Sequence, residues 1–217
     1  MTDPEDIRSG VVPPSRRRGY TLIELAIGFS IILIVAAIAI PNLFKARMTA
    51  DEVAAIASCR TYAGAQEIYR RSDYDGNGVF EFAQHLRGNW SLYECKAGEG
   101  DLELIDRAFA FAEGDPLVTV AKCGYVFKVL TSQGPDAPGG ESSYIDSLTG
   151  RMVFNYGLCA VPTQYNISGI ADKTVDIAGV STYIINRRYQ VYQKDRGNDT
   201  ASHVDVYNPD STWSVAE

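Results

Sequence analysis

From Tyr20 to Ile40 the chain is apolar all round apart from one acid, Glu24; after Pro41 it alternates apolar and polar residues with a helical period. At about 1.5 Å per residue the first run is about 30 Å long as a helix, the thickness of a bilayer's hydrocarbon core. In the second run Leu43, Phe44, Ala46, Met48, Val53, Ala54, Ile56, Ala57, Ala65, Ile68 and Tyr69 recur at three- and four-residue intervals. Lys45, Arg47, Asp51, Glu52, Arg60 and Glu67 form the polar side. The pattern predicts one helix over residues 20–72, membrane-spanning over 20–40 and amphipathic over 41–72. Pro41 removes an N–H and is expected to kink or locally melt it, and Gly28 is a second weak point.

Beyond residue 72 the pattern breaks into short elements. Asp73–Gly78 ends the helix. A helical patch is expected at 80–86, a brief strand at 90–93 and a helix through Leu102, Ile105, Phe109 and Ala112 stopped by Gly114. Strands are predicted at 124–131 and 152–161, and a hairpin at 181–186 and 189–194, from their β-branched and aromatic content. Residues 133–143 read as a Gly- and Pro-rich surface loop, and the pattern dissolves after Arg196 into a polar C-terminal tail. Residues 1–19, with three prolines and no periodicity, read as a leader. The division is thus 1–19 leader, 20–72 helix and 73–217 head. The fold class is α+β: a long N-terminal helix, membrane-spanning in its first half, packed on a small antiparallel sheet.

Charge then orients the chain. Residues 1–19 hold four arginines against three acids, a net of +1, which leaves −8 of the formal −7 on the remainder. The arginines before the span keep that end cytoplasmic and place the head outside. The acidic exterior excludes nucleic acid as the main partner.

An acid inside an apolar helix costs about 3 kcal/mol or more on insertion scales and needs a reason. Glu24 shares a helix face with Tyr20, four residues earlier. A cut after Gly19 would supply that reason, a positive α-amine on Tyr20. The run Arg16-Arg17-Arg18-Gly19-Tyr20-Thr21-Leu22-Ile23-Glu24-Leu25 resembles the class III signal of type IV pilins and type II secretion pseudopilins. The resemblance implies cleavage after Gly19 by a prepilin peptidase, methylation of the new amine on Tyr20 and guidance of filament docking by Glu24. Pro41 matches the proline that the family carries twenty-two residues into the mature chain. Tyr20 replaces the usual Phe, a change that leaves backbone chemistry intact.

The resemblance implies a structural subunit and not an enzyme. It would be stored in the inner membrane among lipid and assembled by a membrane platform, with copies of itself or related pilins, into a pilus or secretion pseudopilus. The alternatives are a minor pilin with an adhesin head and a plain anchored envelope protein. No G-x-S-x-G, H-E-x-x-H, Walker or dinucleotide motif is present. Acids at Glu99, Asp101, Glu103 and Asp106 read as a solvated face. His85 and His203 are distant in sequence, and His85 reads as a partly buried structural residue.

Two further sets of side chains are candidates. Asp73, Asp75 and Asn77 with Gly78 open like a calcium loop. Val79 would add its carbonyl and Glu81 would stand at the ninth position, while the twelfth holds Gln84 in place of the bidentate acid. Calcium is the one cofactor such a loop would take. The competing reading is a helix-ending turn of residues that tolerate unusual backbone angles. Cys59, Cys95, Cys123 and Cys159 all follow the span, and an even count outside the cytoplasm reads as two disulfides. Three connectivities are open. Cys59–Cys95 with Cys123–Cys159 is favoured, tying the helix to the following loop and one strand to another. Asn166-Ile167-Ser168 fits a glycosylation sequon.

Overall fold

The computed structural model describes residues 19–74, 76–89, 91–96, 100–114, 120–165, 179–197, 199 and 202–216. The leader up to residue 18, Asp75, Trp90, Glu99 and the sequon at 166–168 lie outside them, as does the side chain of Cys95. The chain divides into two compact units, one up to Asn42 and one from Leu43 onward. Helix α1, Leu22–Ser72, supplies residues to both, and its assignment is unbroken through Pro41, so no melting occurs there.

In the first unit every residue from Leu22 to Ile40 is exposed or nearly so, with Leu22, Ile23, Ile32, Leu33, Ile34 and Ile38 each more than 60% exposed. In water such a surface has no stable home; it requires lipid or like helices.

In the second unit the rest of α1 buries a stripe comprising Ala55, Ile56, Cys59, Tyr62, Ala63, Gln66 and Tyr69. This corrects the sequence-based face, because Val53 and Ile68 are 59% and 51% exposed and the polar Gln66 is fully buried. The stripe lies on an antiparallel sheet of β3 (Tyr125–Leu130), β6 (Gly157–Pro162), β7 (Thr182–Asn186), β8 (Val191–Lys194) and β9 (Ser214–Val215), in that order.

Because side chains alternate across a strand, the sheet sorts its residues between two faces. Tyr125, Phe127, Leu158, Ala160, Tyr183, Ile185 and Val191 join the core with α1. Val126, Leu130, Cys159, Val161 and Ile184 form a second core, closed by Tyr207, Val204 and Trp213. The C-terminal segment is therefore a cover and not a loose tail. Tyr207 is buried, its N–H donates to Ser132 O, and Ala216 N–H donates to Val191 O.

The strands at 124–131 and the 181–194 hairpin form as expected. The strand expected at 152–161 begins only at Gly157. The helix near 102–112 shortens to α2 (Arg107–Phe111), capped by the Asp106 carboxylate on Phe109 N–H. No helix forms at 80–86. Phe82 bridges Met152 instead, and the Gln66 amide takes both backbone groups of Ala83. The brief strand expected at 90–93 lies at Glu94–Lys96 (β1), paired with Gly100–Asp101 (β2). Within the loop expected at 133–143, Ser132–Gln133 (β4) pairs with Ser142–Ser143 (β5).

Candidate functional site: the N-terminal segment

Gly19, Tyr20 and Thr21 are not helical, and α1 starts at Leu22. Thr21 is the cap. Its hydroxyl accepts from Glu24 N–H at 3.2 Å, and the Glu24 carboxylate reaches back to accept from Thr21 N–H at 3.4 Å. This is a reciprocal capping box, which satisfies two of the backbone donors that a helix start leaves unpaired. The Thr-x-x-Glu spacing was legible in the sequence and supplies a reason for Glu24 that does not require cleavage. It also fixes the carboxylate at the end of the helix where the N-terminal dipole favours an anion. Ser30 Oγ donates to Ala26 O at 2.8 Å, so the hydroxyl in mid-span is satisfied within the helix. Gly28 has open space around its Cα. The arrangement is an apolar rod with one acid beside Gly19–Tyr20, suited to burial and packing and without a group placed for bond-making chemistry.

The other candidate residues take structural roles. Asp73, at φ 42°, accepts from Asn77 N–H at 3.2 Å and Gly78 N–H at 3.0 Å, and Asn77 Oδ1 accepts from Val79 N–H. Glu81, the expected ninth-position ligand, is paired with Arg151 at 2.9 Å. Among the described residues no three His, Cys, Asp or Glu side chains gather to hold a metal ion.

Cys59, Cys123 and Cys159 carry free thiols, so the expected bridges are corrected for them. Cys159 faces Lys128 across the β3–β6 ladder, whereas Cys123 lies beyond the other end of β3. Disulfide geometry needs Cα atoms within about 7 Å, and the strand from Tyr125 to Lys128 alone spans about 10 Å. Cys59 points into the α1 core and Cys159 into the opposite one. Burial pushes the Cys159 thiol up to about 12, so it is inert.

The two histidines, distant in sequence, converge on consecutive residues. His85 Nδ1 lies 3.5 Å from the Glu113 carboxylate, which also accepts from Leu86 and Arg87 N–H, and His203 Nε2 donates to Gly114 O at 2.8 Å. Asp106 pairs with Lys122; despite partial burial, Lys122 and the Phe109 N–H hold its carboxyl below the usual range. Asp106 is thus a helix cap and Glu113 a clamp on the 86–87 backbone, while Glu103 is exposed.

Residues 14–40 match the prokaryotic N-terminal methylation motif. Residues 37–216 match the family described as "Protein of unknown function (DUF2950)". Over 98 residues the chain is 38% identical to the type IV major pilin protein PilA of Myxococcus xanthus (strain DK1622), covering 43% of each chain. The chain thus spans less than half the length of that curated relative. No solved structure matches it. The apolar span, the box at its start and the motif that surrounds both agree. The chain belongs to the DUF2950 family over residues 37–216, carries the N-terminal methylation motif over residues 14–40, and over part of its length is similar to a type IV major pilin.

Proposed function

We propose that the chain is made as a prepilin with residues 1–19 as leader, 20–72 as assembly helix and 73–217 as head. It is cut after Gly19 by a prepilin peptidase, methylated on the Tyr20 amine, held in the inner membrane by residues 20–40 with the head outside, and assembled through its helix into a filament. The observation that carries this reading is the wholly exposed apolar surface of Leu22–Ile40 with one carboxylate boxed at its start. Such a helix leaves lipid at low cost only by entering a core of like helices. The likeness to a major pilin favours a pilus over a secretion pseudopilus.

Once Gly19 is removed, the α-amine of Tyr20 lies one residue before the box, and the Glu24 carboxylate becomes its nearest countercharge on the chain. Partnered in this way by a neighbouring subunit, the acid steers each incoming helix to the correct depth. Glu24→Ala tests this. Cells making the variant are expected to retain it in the membrane and to yield filaments reduced at least tenfold, whereas Glu24→Asp retains part of the yield. Normal filaments from Glu24→Ala would remove the acid from the mechanism.

A further inference from the structure

Two arginines share one ring beside α2. Arg107 opens that helix and Phe111 closes it, four residues later and so on the same helical face. Arg87 comes from the 80–87 segment, where the Leu86 and Arg87 N–H groups both donate to the Glu113 carboxylate, two residues past Phe111. The guanidinium carbons of Arg87 and Arg107 lie 4.4 and 5.2 Å from the centroid of the Phe111 ring. The two cations are therefore at most about 10 Å apart, which is the Debye length in dilute salt. At that range they repel.

Both side chains are exposed, and among the described residues neither guanidinium has a carboxylate or other hydrogen-bond partner. The acids on either side of α2 are already taken. Asp106 pairs with Lys122, and Glu113, whose side chain is 19% exposed, is held by His85 and the two N–H groups. The chain has 27 acids against 20 lysines and arginines, so a lack of carboxylates does not explain the arrangement.

The ring supplies what holds the pair. Its negative face attracts each cation and leaves its positive edge outward. Stacking fixes the guanidinium planes while their N–H forks point to solvent, so little entropy is lost when an anion arrives. Each fork matches two oxygens of an oxyanion. Two forks bring two positive charges, which a phosphate dianion neutralises and a carboxylate only halves.

We infer that Arg87 and Arg107, stacked on Phe111, form a site for a phosphate group carrying two negative charges. Free phosphate and a phosphate ester both present that group. The site belongs to the unit that starts at Leu43, and it neither needs nor tests the assembly reading.

Calorimetric titration of the full chain in neutral detergent tests it, with inorganic phosphate near pH 8, where the dianion dominates, and with acetate at equal ionic strength. Phosphate is expected to bind about tenfold more tightly than acetate. Arg87→Gln and Arg107→Gln should each weaken phosphate about tenfold, as loss of a hydrogen bond to a charged group does, without moving the melting temperature of the free protein. Arg107→Lys keeps the charge but not the fork, and its affinity should fall between. Glucose 6-phosphate separates the two sources, since a site for an ester binds it more tightly than free phosphate and a site for the free ion does not. No phosphate binding, equal affinity for phosphate and acetate, or phosphate binding that neither glutamine variant weakens would overturn the inference.

Discussion

Gln66 shows how much a single side chain can settle. Its amide is fully buried, donates to the Tyr62 hydroxyl at 2.9 Å and to Ala83 O at 2.7 Å, and accepts from Ala83 N–H at 2.9 Å. It thereby pairs a loop with a helix in the way that one strand pairs with another. Gln66→Leu keeps the size and leaves both Ala83 groups and the Tyr62 hydroxyl with lost partners. The expected loss is about 3 kcal/mol, read as a lower urea midpoint with an unchanged slope. A loss under about 0.5 kcal/mol, the level of an ordinary surface change, would mean the loop has another anchor. Gly179 is a second such position, because a Cβ there would run into the Tyr125 hydroxyl oxygen. Gly179→Ala should destabilise the head, and adding Tyr125→Phe should recover part of the loss; a double variant no better than the single one would place the strain elsewhere.

At the scale of elements, Glu113 ties the 85–87 segment to the stretch leading into β3, and His85 completes the tie. Its hydrogen bond to Glu113 raises the His85 pKa above the usual 6.5, with burial working against it. Because the folded value is the higher one, the contribution is complete below the unfolded pKa and is lost as pH rises through the folded value. The head should melt at a higher temperature near pH 6 than near pH 8, and His85→Gln should flatten that slope. A slope unchanged by His85→Gln would assign it to other groups.

The same scale shows what a sequence can and cannot carry. The long helix and the 124–131 and 181–194 strands were legible because their periodicity reflects burial on one or both faces. Residues 80–86 were not, since their helical spacing is overruled by Gln66, which lies 17 residues before the Ala83 it binds. The cover over the second core was also hidden, because Val204, Tyr207 and Trp213 are sparse among polar residues and cover by position and not by pattern. Counting cysteines gave parity but not distance, and distance rules out the bridge between Cys123 and Cys159. Of the N-terminal segment, Glu24 was legible as the one charge in the apolar run, while Thr21 was passed over although the capping-box spacing was in view; the roles of Gly19 and Tyr20 came from the family resemblance alone.

For the whole molecule, the central claim is that a single chain has two lives, one in lipid and one in a filament, and that removal of the leader connects them. The most direct test is the mass of the N-terminal peptide from native, membrane-derived protein. The account predicts a peptide that begins at Tyr20 and carries one added methyl group. A population that retains the intact leader throughout would contradict it and leave residues 20–40 as a plain anchor.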